Sequence, residues 1–137
     1  MNRPEAIAAL SRARIAHLAT VTPDGHPHVV PVTFAFVEDL LVTMVDHKPK
    51  TTTRLQRLAN VRHDPRVSLL ADHYEEDWED LWWVRVDGRA ELHEGDDVWK
   101  TSRHALAEKY DQYRDRRPEG TAIVMTVDRV TWWASTP

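Results

Sequence analysis

The sequence contains no cysteine and no apolar run of the roughly 20 residues that a membrane span requires. The first absence excludes disulfides, thiolate nucleophiles and cysteine metal sites together. The second excludes a membrane-spanning helix, and "MNRPEAIAALSRAR" lacks the basic-then-apolar order of a signal peptide, so a cytoplasmic protein is expected. Internal repeats and low-complexity tracts are also missing. No HExxH or comparable ligand set occurs, and "ADHYEED" offers carboxylates without a second well-spaced histidine, so no metal is expected. A formal net charge of −4 argues against a general nucleic-acid binder. What remains, 137 residues of which 42% are hydrophobic, suits one domain spanning residues 1–137 with one modest core.

The pattern is mainly β with flanking helices. Ile7 and Leu10 at helical spacing, with Pro4 placed for a first turn, predict a short helix over residues 3–14. "IAHLATVT", the turn signal "PDG" and "HPHVVPVTFAFV" predict a hairpin of two strands, and "LLVTMV" a third strand entered through Glu38 and Asp39. Leu55, Leu58 and Val61 recur at helical spacing behind a threonine cluster, which predicts a short helix ended by Pro65. "RVSLLAD", "LWWVRVDGRAEL" and "TAIVMTVDRVTWWA" predict three more strands, with Gly88 at a bulge or bend. "DDVWKTSRHALAEKYDQY" reads as one amphipathic helix that buries Val98, Leu106 and Tyr110. Six strands in a chain this short manage their edges best as a closed or partly closed barrel.

Charge is segregated along the chain. From His47 to Arg66, Lys48, Lys50, Arg54, Arg57, Arg62 and Arg66 stand against Asp64 alone, so a segment of +5 sits in a chain whose remainder carries −9. The segment opens a helix, where unpaired backbone N–H groups favour an anion. Thr51, Thr52 and Thr53 add hydroxyl donors, and Arg54 and Arg57 share a helix face on which guanidinium forks grip phosphate or carboxylate. A solvated basic face is the alternative, and charge alone does not decide between them.

The order of "PHVVPVTF", "LLVTMV", the basic segment closing on "DPRVSLL", and "LWWVRVDGRAEL" resembles the flavin-binding split-barrel superfamily that includes pyridoxamine 5'-phosphate oxidase. More narrowly it is similar to the actinobacterial branch that uses the deazaflavin coenzyme F420. The resemblance runs from about Ala16 to Val130 and implies a six-stranded split β-barrel working as a homodimer, with the cofactor in a groove between subunits. It implies that backbone groups of Val30, Pro31 and Val32 on one strand and Thr43 and Met44 on another hold the ring. Arg57, eight positions before Pro65, matches the family's phosphate-binding basic residue, and Lys48, Lys50, Thr51, Thr52 and Arg54 complete the clamp or meet the carboxylates of a polyglutamyl tail. Trp83, or Trp82, would face the partner chain's cofactor.

Two departures from the oxidase pattern disfavour pyridoxamine phosphate oxidation itself. Trp82 and Trp83 stand where oxidases have an Arg-Gln pair, and the C-terminal Arg-x-His substrate motif is missing from a chain ending "VTWWASTP". The expected activity is F420-dependent hydride transfer to a small electron-poor substrate; FMN is the alternative cofactor, and a non-catalytic flavin-, deazaflavin- or haem-binding module is the alternative role. Such transfer requires no acid or base from the protein. His28, His47 and Tyr74 are available as proton donors, and none is assigned as catalytic.

Overall fold

The β-rich pattern condenses into one curled antiparallel sheet. The computed structural model describes residues 1–45 and 52–136, and over residues 52–55 the backbone only. The elements are α1 (Arg3–Arg12), β1 (Ala16–Val21), β2 (Pro27–Val32), β3 (Ala35–Val37), β4 (Leu40–Met44), α2 (Thr52–His63), β5 (Arg66–His73), β6 (Trp82–His93), α3 (Asp97–Lys109), α4 (Gln112–Asp115) and β7 (Ala122–Ala134). No helix among the described residues is long and apolar enough to cross a membrane.

Local signals place most of these boundaries. The Asn2 side chain accepts a hydrogen bond from the Glu5 amide to cap α1 beside Pro4, and Asp96 caps α3 through the Trp99 amide. "PDG" makes the β1–β2 turn with Gly25 at φ 88°, a left-handed conformation that favours glycine. The expected irregularity at Gly88 is present as a register shift between Asp87 and Gly88.

Among the described residues the strand order is β2-β1-β5-β6-β7-β4-β3, seven strands where six are expected from the sequence. The difference lies in "HPHVVPVTFAFV", one strand by pattern, whose hydrogen bonding switches at Thr33 and Phe34. Before them β2 pairs with β1; after them β3 pairs with β4, at the opposite end of the sheet order. Inward alternation nevertheless persists, since Val30, Val32, Phe34 and Phe36 all join one inner core.

This connection fixes the shape. Three residue steps from Val32 to Ala35 reach at most about 11 Å, whereas the outer strands of a flat seven-stranded sheet would lie roughly 29 Å apart. The sheet must therefore curl until its two edges nearly meet. They do not pair, so the barrel is split along a seam between β2 and the β3–β4 hairpin.

The inner core holds Leu18, Val67, Leu69, Val84, Val86, Ile123 and Met125, with Ala6 and Leu10 from α1 and Leu58 and Val61 from α2. A second cluster lies outside β3, β4 and β7, where α3 and α4 bring Leu106, Ala107, Tyr110 and Tyr113 against Val42, Met44, Ala122 and Val124. Two details of the expected third helix differ. It breaks after Lys109 into α3 and α4, and Val98, expected buried, is 38% exposed on the first turn of α3, while Leu106 and Tyr110 are buried as expected.

A buried polar chain ties α2 to the barrel. Asn60, fully buried, donates to Thr20 Oγ1 at 3.0 Å and accepts from Gln56 Nε2 at 2.7 Å. Replacing Asn60 with alanine strips the buried Thr20 hydroxyl and the half-buried Gln56 amide of a partner and is expected to cost about 2 kcal/mol, read as a lower denaturation midpoint in urea at unchanged slope.

Candidate functional site

The seam leaves two strand edges with work still to do. Among the described residues Pro31 and Val32 pair only with β1, and Thr43 and Met44 only with β7, so each pair faces the other across the split with its remaining backbone edge outside the sheet's ladder. A cavity of about 280 Å³ lies there, lined by Ile15, Pro31, Val32, Thr33, Thr43, Met44, Val45 and Arg57. Two unladdered β-edges suit a planar ligand whose rim both donates and accepts hydrogen bonds. The Thr43 hydroxyl adds a side-chain group: the residue is 5% exposed and its Oγ1, buried, has no hydrogen-bond partner among the described residues. An unsatisfied buried hydroxyl at a cavity wall is a place for a ligand's polar atom.

Arg57 supplies the charge. It projects from α2 at the cavity, and α2 is stopped by Asp64-Pro65, where Asp64 accepts from the Arg66 amide and from its guanidinium at 2.7 Å. Those bonds hold the Asp64 carboxyl down at about 2 and neutralise Arg66 in place. Of the basic side chains between His47 and Arg66 that the structure describes, Arg57 is the one lining this cavity.

The floor is rigid. Val45 receives the Gly120 amide on its carbonyl at 3.0 Å and donates to the Thr121 carbonyl at 3.2 Å, and a Cβ at Gly120 would lie 2.6 Å from Val45 Cβ. Glycine at position 120 is what permits this approach.

Four of the five expected ring-binding residues, Pro31, Val32, Thr43 and Met44, line the cavity together with Arg57, the expected phosphate-binding residue. Val30 is not among the lining residues; it sits opposite Leu18 and packs against the inner core. Lys48, Lys50, Thr51 and His47 lie outside the described residues, and Thr52 and Arg54 are placed on α2 by backbone alone. Trp83 is on β6, paired with Trp133 of β7, with the Arg85 guanidinium 6.0 Å from its ring centre; within one chain it does not reach the cavity. His28 faces inward opposite Thr20 with a buried Nδ1, and Tyr74 is exposed and stacked on Trp133. Ile15, Thr33 and Val45 were not expected. Each flanks a strand end, and only the closing of the sheet gathers them.

Elsewhere, the loop before β6 brings ligand atoms of His73, Glu75 and Asp80 within 4.8 Å of one another, a grouping hidden from sequence because Asp80 is brought back by the helical turn Trp78–Asp80. These groups are half-buried to exposed.

The sequence from residue 3 to residue 134 matches the family model described as pyridoxamine 5'-phosphate oxidase. No curated protein matches this sequence. Among solved structures, a conserved hypothetical protein from Mycobacterium tuberculosis is similar at a TM-score of 0.78 and 24% identity, over 98% of this chain and 86% of that one. An FAD-binding protein from Mesorhizobium loti is similar at 0.73 and 23% identity, over 96% and 92% of the two chains. A heme-binding protein from Mycobacterium smegmatis is similar at 0.74 and 24% identity; it covers 99% of this chain, which spans 56% of the larger protein. At these identities the three structures establish the split-barrel fold.

Proposed function

Since the chain belongs to the pyridoxamine 5'-phosphate oxidase family, we propose that its seam cavity holds the ring of a flavin-type cofactor, that the cofactor is coenzyme F420, and that the protein is a cytoplasmic homodimeric oxidoreductase acting on a small electron-poor substrate. The observation that carries this reading is the coincidence of two unladdered strand edges, the Thr43 hydroxyl, unpartnered among the described residues, and the Arg57 guanidinium around one cavity.

In this reading the chain's own residues bind and orient. The backbone edges at Pro31–Val32 and Thr43–Met44 fix the ring plane, Thr43 Oγ1 bonds a polar atom of its rim, and Arg57 holds the first anionic group of the side chain. The inner core behind Thr43 keeps water from that face. The bound coenzyme would supply hydride chemistry. F420 is favoured over FMN by the +5 segment, whose charge exceeds what one phosphate monoester needs and suits a polyanionic tail. Trp82 and Trp83, in place of a polar pair, argue against pyridoxamine phosphate as substrate.

A cavity of about 280 Å³ falls just below the roughly 300–1,000 Å³ of small-molecule sites. One chain therefore supplies part of the wall, which supports a dimer whose second copy completes it, with Trp83 of one chain facing the other's cofactor. Ile15, at the cavity, and Val29, two residues before Pro31 on the outer face, are 49% and 59% exposed, apolar surface that such a contact would cover. The heme- and FAD-binding neighbours keep a second reading in view, a binding module on the same barrel without turnover.

The test is a fluorescence titration of F420 and FMN, in parallel at fixed salt, against the unaltered protein and Arg57→Ala. The expected result is tighter binding of F420, weakened by about 1–3 kcal/mol in the variant. Preference for FMN would change the cofactor, stoichiometric binding without hydride discharge to any acceptor would favour the module, and binding of neither would overturn the reading.

A further inference from the structure

One wall of the seam hangs on a helix that does not line it. Thr33 and Phe34 lie between the β1–β2 and β3–β4 ladders, so the crossover's backbone groups have no strand partner there, and Phe34 is buried at 1% exposure. The Tyr110 hydroxyl, at the C-terminus of α3, meets them: it accepts from the Phe34 amide at 3.1 Å and lies 3.1 Å from the Phe34 carbonyl. The same oxygen donates to the Arg14 carbonyl at 2.8 Å. Arg14 returns the contact, with its guanidinium 4.5 Å from the Tyr110 ring centre and its Nη2 donating to the Lys109 carbonyl at 3.0 Å.

One phenol thus joins two segments far apart in the chain. Arg14 precedes Ile15, and Thr33 follows Pro31 and Val32; Ile15, Pro31, Val32 and Thr33 are one wall of the cavity. Tyr113 Oη, 2.9 Å from Thr33 Oγ1, grips the same wall. The opposite wall belongs to β4, where Met44 packs in the buried cluster that contains Tyr110. The end of α3 therefore holds one wall through a hydroxyl and meets the other through apolar packing, so it sets the width of the seam.

Resting on the cofactor reading above, we propose that Tyr110 is a positioning residue for the ligand: its hydroxyl staples the α1–β1 linker to the β2–β3 crossover and holds the seam at the width its ligand needs. Tyr110 does not line the cavity, so it acts through Ile15 and Pro31–Thr33.

Tyr110→Phe keeps the ring and deletes the staple. Val86→Ala, in the inner core on β6 away from the seam, serves as a control that loses stability by a different route. Two readouts are taken on the full chain: affinity for F420 and FMN by fluorescence, and amide hydrogen exchange without ligand. The expected result for Tyr110→Phe is at least a tenfold loss of affinity together with faster exchange confined to residues 14–16 and 33–35. Val86→Ala is expected to bind within twofold of the unaltered protein whatever its drop in Tm. Unaltered affinity in Tyr110→Phe, or affinity that merely tracks Tm in both variants, overturns the proposal. If the unaltered protein binds neither cofactor, the cofactor reading fails, and exchange still decides the staple: selective loss at the two segments supports it and a uniform change overturns it. Should Tyr110→Phe not fold, Tyr113→Phe, which releases Thr33 on the same wall, carries both readouts.

Discussion

Gly88→Ala is expected to destabilise the protein by about 3 kcal/mol or more, enough to shift its denaturation midpoint out of the range of ordinary surface variants. A Cβ at this position would sit 1.9 Å from the Thr126 carbonyl oxygen, 3.0 Å from its carbon and 3.2 Å from Met125 Cε. The first two atoms are backbone of β7, held in the ladder with β6 that runs from Trp82↔Ala134 to His93↔Ala122. No rotamer change relieves the clash. The strands must separate at the bulge, which breaks ladder hydrogen bonds in the longest pairing of the sheet. Gly25→Ala makes a useful contrast: it has the left-handed φ of 88° but open space around its Cβ, so only a backbone cost of about 1 kcal/mol is expected. Urea denaturation of both variants checks the pair. Equal effects would mean that the β6–β7 approach is looser than the structure has it.

Lys109→Met is expected to stabilise the protein at pH 7, by about 1–2 kcal/mol after allowance for partial solvent screening. The Lys109 ammonium is buried without a hydrogen-bond partner among the described residues, 3.7 Å from the Phe34 ring centre and 5.2 Å from that of Tyr110. Burial, with the nearby Arg14 charge second, brings its pKa down from 10.5 to about 8. The ring contacts recover part of that cost and do not remove it. The sign follows from proton counting. Between about pH 8 and 10.5 the unfolded chain holds a proton on this lysine that the folded chain has released, so folding stability rises with pH across the window. Below pH 8 both states are protonated and the full penalty applies. Tyr110 acts oppositely near the top of the window, because burial raises its phenol above 10 and the unfolded phenol ionises first. Thermal melts from pH 7 to about pH 10 should therefore show the unaltered protein gaining relative to Lys109→Met, with the two converging. A constant gap between them, or a less stable variant at pH 7, would sink this account.

Side-chain periodicity and local stereochemistry carried much of the architecture. Pro4 with Asn2 starts α1, Pro-Asp-Gly turns the first hairpin, Pro65 ends α2 and Gly88 marks the bulge, each through atoms a few residues apart. Arg57 and the paired strand segments were also legible, through the spacing that makes the chain resemble its family. The break inside "HPHVVPVTFAFV" was not, since its inward alternation runs unbroken from Val30 to Phe36 and no glycine or proline stands at Thr33–Phe34, where the pairing switches. What breaks there is the choice of hydrogen-bonding partner. Val98 misled in the same way: helical spacing marks a face, but whether the first turn of that face is covered depends on where α3 meets β3, β4 and β7.

By itself, then, the sequence determined most of the strands and helices, the segregated charge and the family, because those depend on neighbours along the chain. Only the tertiary structure decided that the two sheet edges meet without pairing, that Ile15, Thr33 and Val45 join Thr43 and Arg57 around one seam, and that Tyr110 holds that seam from outside. Those follow from the curl of the whole sheet, which a short covalent link between its opposite edges imposes and which no local stretch encodes.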